Sequence, residues 1–224
     1  MFRELAQQMG MQTTRAILSE DIDICLNVAI KDTIKELIAE NIGYINPNDK
    51  ISKNNNAISP INGLRTLTKK GNISKDNING NGTPVQPFTV NISDSGIMLY
   101  LSFKVIYDNN LLYDCRIIEH DDLGQTVKDF CNRPAKDTPI CTIVGNNGNI
   151  TIDIINSLSK GVKPESIVYM YIANPVEVYF EDENSINNVD CDMPEYLHND
   201  IVKKAINVYL QSVGALRSTN KQNN

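Results

Sequence analysis

The chain has 224 residues, a net charge of −6 and 41% hydrophobic residues, enough for one sizeable core or two small ones. The acidic balance excludes a simple phosphate-binding domain, which would be strongly basic. The five cysteines are odd in number and contain no CxxC pair, so neither a disulfide framework nor a zinc site is expected. The start "MFRELAQQMG" carries charge where an export signal needs an apolar core. No apolar run reaches the ~18 residues of a membrane span. Asn and Ile are over-represented, which reads as AT-rich coding rather than mechanism.

The first block is helical. Phe2, Leu5, Ala6 and Met9 fall on one side of a short helix, with Gly10 at its C-cap. A longer helix follows, with Ser19 as N-cap and Glu20 and Asp21 in the first turn. Ile22, Cys25, Leu26, Ala29, Ile30, Ile34, Leu37 and Ile38 then recur at three- and four-residue steps, a single apolar stripe. Gly43 and Pro47 stop it. Residues 46–87 are rich in Asn, Lys, Gly and Ser and lack a period, so they read as an extended polar arm. Only "SPINGLRTLTKK" offers a helical turn, with Ser59 as cap and Pro60 at the first position.

Strands dominate from residue 88. Phe88, Val90 and Ile92 alternate, and Ile97, Leu99, Leu101, Phe103, Val105 and Tyr107 share one face of the next strand. "DNN" at 108–110 turns the chain into "LLYDCRIIE". "DDLGQTVKDF" reads as a short helix with Leu123, Val127 and Phe130 inward. "PICTIV", "GNNGN" and "ITIDII" make a second hairpin, and "SIVYMYIANPVEVYF" a strand bent at Pro175. After the acidic linker "EDENSINNVDCD" comes an amphipathic helix with Ile201, Val202, Ala205, Ile206, Tyr209, Leu210 and Val213 on its apolar face.

The order implies an α+β fold. Both long helices carry an apolar stripe that needs a partner, so the economical arrangement packs them together. The expected organisation is a helical domain from 1–45 plus 195–217, a polar arm at 46–87, an inserted antiparallel β-domain at 88–183, sandwich or barrel-like, and a disordered tail at 218–224. The helical domain is expected to be a bundle of the N-terminal helices and the C-terminal helix.

Chemistry-bearing clusters are few. Glu119, His120, Asp121 and Asp122 could offer oxygen and imidazole ligands to a divalent ion. The plainer reading, adopted here, is that they close a strand and cap a short helix, with Asp121 or Asp122 as N-cap. Asp190, Cys191 and Asp192 read as a solvated charge run, and His198 as a capping or surface residue. No nucleophile elbow, Walker loop, dinucleotide fingerprint or HExxH is present. No catalytic, cofactor-binding or metal residue is therefore assigned, and no enzyme activity or cofactor is expected. Lys50, Lys53, Arg65, Lys69, Lys70 and Lys75 could touch a phosphate backbone, or equally keep the arm soluble or dock on an acidic neighbouring subunit; nucleic-acid binding ranks below protein contact.

Three segments carry a resemblance. "TRAILSEDIDICLNVAIKDTIKELIAENI", the pair "FCNRPAKDTPICTI" and "YIANPVEVYF", and "EYLHNDIVKKAINVYLQSVGA" together resemble the head-to-tail connector (neck ring, or adaptor) proteins of tailed bacteriophages. They are most similar to ring proteins of crAss-like podoviruses infecting Bacteroidales. The resemblance covers most of the chain outside 46–87, and it rests on type and order of residues rather than a catalytic signature. It implies a homo-oligomeric ring, usually of twelve copies, beneath the portal protein and against neighbouring neck and tail rings. It implies a channel for genomic double-stranded DNA without sequence-specific binding, no cofactor and no membrane. The expected location is the virion neck, after assembly in the host cytoplasm. The competing reading is a carbohydrate- or receptor-binding β-module, or another tail component.

Overall fold

A computed structural model describes residues 2, 18–42, 63–108, 111–146, 148–181 and 186–212. In chain order the elements are α1 (Ser19–Ile42), β1 (Thr68–Ser74), a 3-10 turn (Lys75–Asn77), β2 (Phe88–Ser93), β3 (Ile97–Ile106), β4 (Leu112–Ile117), a 3-10 turn (His120–Asp122), α2 (Leu123–Lys128), β5 (Ile140–Asn146), β6 (Asn149–Ile155), β7 (Ser166–Ala173) and α3 (Glu195–Ser212). The fold is α+β; the described residues show the three α-helices α1–α3 and one curled, mixed seven-stranded sheet. The chain divides into two units, Met1–Leu67 with Pro175–Asn224, and Thr68–Asn174.

In the first unit α1 and α3 pack together. The stripe read from the sequence is the buried one: Cys25, Ala29, Ile30 and Ile34 on α1, and Ile201, Ala205, Ile206, Tyr209 and Leu210 on α3. Ala29 and Ala205 are fully buried, and their small side chains let the helix backbones approach. Each buried Ile or Leu contributes roughly 1.5–3 kcal/mol. The Lys204 ammonium donates to Thr33 Oγ1 at 3.2 Å and pairs with Glu36, fixing the register of the two helices from the rim. The Phe2 ring meets Tyr209 edge-on at 6.4 Å. The first helical bond of α1 runs from the Ile22 N–H to the Leu18 carbonyl at 3.3 Å, so Leu18 rather than Ser19 holds the N-cap position. The expected short N-terminal helix beyond Phe2, the Ser59–Pro60 turn, Val213 and the 218–224 tail lie outside the described residues.

In the second unit the strand order is β1-β7-β3-β4-β5-β6-β2. All neighbours are antiparallel except β4 and β5, which are parallel, with Arg116 opposite Ile140 and Ile117 opposite Cys141. This corrects the expected antiparallel β-domain. The physical reason is the connection: residues 118–139 carry a 3-10 turn and α2, long enough to return the chain to the start of a parallel strand. One cluster buries Ile73 of β1, Phe88 of β2, Phe103 and Val105 of β3, Ile152 of β6 and Ile167 of β7. Strands from both ends of the order share that core, so the sheet curls upon it. Past β1, Asn79 exchanges backbone bonds of 3.2 and 2.7 Å with Thr89 of β2, and this bridge joins the two ends of the strand order.

Two expectations about this unit need correction. Residues 68–74 are not part of an extended arm: they form β1, paired with β7 from Thr68 opposite Ile172 to Ser74 opposite Ser166. Only Ile73 of β1 is buried, and Lys69 and Lys70 lie exposed on it. A polar, charged edge strand deters pairing with other chains, and that is why its composition read as an arm. In β3 the strict alternation fails. Register shifts between Ile97 and Leu99 and between Tyr100 and Ser102 bring Ile97 and Tyr100 onto the core with Phe103 and Val105, in place of Leu99 and Leu101. Each irregularity adds a residue and so exchanges the faces.

Two boundaries also move. Residues 175–183, expected in the β-domain, follow β7 into the first unit as far as they are described. Residues 63–67, expected in the arm, belong to that unit too, with Leu64 and Leu67 buried.

Candidate functional site

The clearest surface feature of the first unit is how α1 holds the segment after β7. Asp23, Asn27 and Lys31 stand four residues apart, one above the other on the helix. The Asn27 side chain donates from Nδ2 to the Val178 carbonyl at 3.0 Å and accepts the Val178 N–H at 2.8 Å. It thereby satisfies both backbone groups as a neighbouring strand would. The Asp23 carboxylate, 8% exposed, accepts the Phe180 N–H at 3.1 Å. Lys31 pairs with Glu177 at 3.0 Å. On the other edge Tyr179 exchanges bonds of 3.2 and 2.8 Å with Val189, and Asp192 accepts the Val176 N–H at 3.2 Å.

The clamped segment nevertheless keeps Val176, Tyr179 and Phe180 exposed, and Ile24 and Val28 are exposed on α1 beside Asp23 and Asn27. Its charge is one-sided. Residues 175–192 hold six of the 27 carboxylates and none of the 21 Lys and Arg, so the rest of the chain is balanced at 21 of each. Sequence reasoning saw an acidic linker here. It missed the clamp, because Asp23 and Asn27 lie off the apolar stripe of α1 and carry no local sign of partners 157 and 151 residues away.

The second unit carries a projecting turn. The α2 helix ends at Lys128, and Asp129 turns extended (φ −77°, ψ 116°). Phe130, expected to face inward, is therefore thrown outward and is 77% exposed. The turn is braced throughout. The Asp129 carboxylate accepts the Cys131 N–H at 2.9 Å and the Asn132 side-chain amide. The Arg133 N–H donates to the Asp129 carbonyl at 2.8 Å. The Arg116 guanidinium donates to Asn132 Oδ1 at 3.0 Å and to its carbonyl. The Asn132 and Cys131 bonds, with Arg116 nearby, hold the Asp129 carboxyl below its usual range. The Arg133 guanidinium lies 4.5 Å from the Phe130 ring centre.

A third feature is aromatic. Tyr100, Phe103, Tyr169 and Tyr171 form a chain of ring contacts with centroids 5.6–6.3 Å apart. Burial, with Asp94 nearby, pushes the Tyr100 phenol up to about 12. The composition, 6% aromatic, gave no sign that these rings converge.

The clusters singled out in the sequence are not brought together. Glu119, His120, Asp121 and Asp122 are all exposed, and Asp122 holds the N-cap position of α2 without a side-chain cap bond. Among the described residues no group of three His, Cys, Asp or Glu is placed to hold a metal ion. Asp190 is exposed, Asp192 is bonded to Val176, and burial raises the Cys191 thiol. His198 Nε2 lies 2.8 Å from the Met193 carbonyl at the start of α3. Of the basic residues, Arg65, Lys69 and Lys70 are exposed, Lys75 pairs with Glu165, and Lys50 and Lys53 lie outside the described residues. No helix among the described residues is long and apolar enough to cross a membrane. No protein-family model matches the chain, and neither does any curated protein.

Proposed function

We propose that the protein is a structural virion component, a ring-forming adaptor in the portal–tail neck of a tailed bacteriophage that surrounds the channel for genomic DNA. In this reading it is not an enzyme and needs no cofactor, and about a dozen copies, a number taken from the resemblance, close by a heterologous contact repeated around an axis. The portal protein and neighbouring neck rings are its other partners. The α1–α3 pair supplies two members of the helical bundle, and the mature protein resides in the virion neck.

The observation that carries the reading is the clamped strip along α1. A segment fixed by Asp23, Asn27 and Lys31 presents Val176, Tyr179 and Phe180 to solvent beside Ile24 and Val28. Ordered apolar surface of this kind is what a protein contact uses. The segment resemblance supplies the assembly class. The excess negative charge suits a channel past which DNA slides, since like charge limits adhesion. Light scattering of the purified chain, alone and mixed with the portal protein of the same virion, tests it. A discrete multimer or a portal complex is expected; a monomer that binds no portal or tail protein overturns the reading.

A second reading, a carbohydrate- or receptor-binding β-module, rests on the partly exposed rings of Tyr100, Tyr169 and Tyr171 alone, since Phe103 is fully buried and open to no sugar. Glycan-array binding lost in Tyr171→Ala would support it.

A further inference from the structure

In the sheet unit, the loop before β2 (78–87) and the β6–β7 connection (156–165) border a cleft of about 630 Å³, within the range of small-molecule sites. Its walls are fixed by the chain's own bonds. The Asn81 and Thr83 N–H groups both donate to the Gln86 carbonyl at 3.1 Å, and the Gln86 N–H donates to Thr83 Oγ1 at 3.1 Å. The Gly161 N–H donates to the Asn81 carbonyl at 2.9 Å and so ties one loop to the other. Asn156, 3% exposed, anchors both. Its N–H donates to the Gly82 carbonyl at 3.1 Å, and its side-chain amide donates to the Val162 carbonyl and the Tyr107 hydroxyl, each at 2.7 Å. Glycine is required where the loops meet: Gly80 has a φ of 108°, and a Cβ on Gly161 would lie 2.3 Å from Asn156 Oδ1.

Two cations, Lys160 and Lys163, line the cleft, and no carboxylate does. Neither lysine pairs with an Asp or Glu among the described residues. The carboxylates of neighbouring segments are engaged elsewhere. Glu165 pairs with Lys75, Asp76 and Asp108 lie near that same lysine, Asp153 accepts from Thr89 at 2.8 Å, and Asp137 lies near Tyr107. The rest of the lining is rich in donors. Thr83 and Ser159 supply hydroxyls. Asn81 Nδ2 donates to Gln86 Oε1 at 2.6 Å, which leaves Gln86 Nε2 as a donor and Asn81 Oδ1 as an acceptor. We infer that the cleft binds a small phosphorylated, hydroxyl-bearing molecule of sugar-phosphate size. Two cations three residues apart, with hydroxyl and amide donors around them, suit a phosphate dianion. The cleft is larger than a phosphate alone fills, and Asn81 Oδ1 accepts from a hydroxyl but not from a bare dianion. The site stands apart from the ring reading and does not depend on it.

The test follows the amide resonances of the ¹⁵N-labelled full chain as glucose 6-phosphate, glucose or a short DNA duplex is added. The expected result is saturable shifts centred on 80–88 and 156–163 with glucose 6-phosphate and none with glucose. The double variant Lys160→Gln with Lys163→Gln is expected to weaken that binding about tenfold or more. Both lysines are exposed, so the double variant keeps its fold, which an unchanged spectrum outside the cleft verifies. No saturable shift, equal shifts with glucose, shifts centred on Lys69 and Lys70 instead, or an affinity unchanged in the double variant overturns the site. Shifts of the cleft by the duplex and not by glucose 6-phosphate overturn the small-molecule assignment and mark the cleft as a contact with the DNA backbone.

Discussion

In the helical unit, burial runs along one seam between α1 and α3, and polar side chains on the rim fix its register. In the sheet unit, burial lies inside a curl whose edge strand β1 is mostly polar and whose ends meet through Asn79 and Thr89. A seam fails where a charge enters it, while a curl fails where its core volume or its closure fails. The two units therefore respond to different substitutions, and that difference is measurable.

The largest effects are expected in the two cores. Phe103→Ala removes a fully buried ring and is expected to cost about 3–5 kcal/mol. Ala205→Asp places a charge at a fully buried point of the seam, at a cost of several kcal/mol. Urea unfolding followed by hydrogen exchange separates them. Phe103→Ala is expected to lower protection first in residues 68–174, and Ala205→Asp first in α1 and α3. Equal loss in both units for either variant breaks the comparison.

Smaller effects sharpen it. A Cβ at Gly71 would lie 2.1 Å from Tyr169 Cζ, because that ring covers the glycine across the β1–β7 pair. Gly71→Val is expected to cost about 1–3 kcal/mol by displacing Tyr169, read from the urea midpoint and from Tyr169 ring resonances. Asn27→Ala leaves the N–H and carbonyl of Val178 without the partner shown at 2.8 and 3.0 Å. About 1–3 kcal/mol of local stability is expected to go, as faster amide exchange at Val178 and Phe180 with α3 unchanged. Unchanged exchange there would remove the clamp.

Alkaline pH should act on the sheet unit. Burial raises the Cys115 thiol to about 12 and Cys141 well above its ordinary value, and holds Tyr107 at about 12 despite the opposing bond from Asn156. These groups stay neutral in the fold while the unfolded thiols ionise near 9 and phenols near 10. Their contribution is complete below about pH 9 and falls as pH rises toward about 12. The urea midpoint should therefore drop between pH 8 and 10, and by less in Cys115→Ala. A flat profile would contradict the burial of these thiols. The smallest effect is expected at Lys35, whose exposed pair with Asp32 spans 3.5 Å; Lys35→Ala should change stability by under about 0.5 kcal/mol.

How far each unit could be read in advance follows from the reach of its contacts. The α1 and α3 stripes repeat within a few residues, and their burial came out as the spacing implied, from Cys25 to Ile34 and from Ile201 to Leu210. The β3–β4 and β5–β6 hairpins were legible for the same reason. Strand β1 was not, because an edge strand with Lys69, Lys70 and Gly71 has almost no apolar signature, and its partner lies about a hundred residues away in β7. Phe130 was misread because helical spacing continued past Lys128, where the backbone had already left the helix.

The sequence by itself determined the α+β class, the faces of the two long helices and the position of the excess negative charge, since each depends on residue type and local period. Only the tertiary structure decided the parallel β4–β5 pair, the register shifts in β3, the clamp of Val178 and Phe180 by Asn27 and Asp23, and the outward Phe130. Each of those depends on backbone groups finding partners far along the chain, and a period read over a few residues carries no information about such partners.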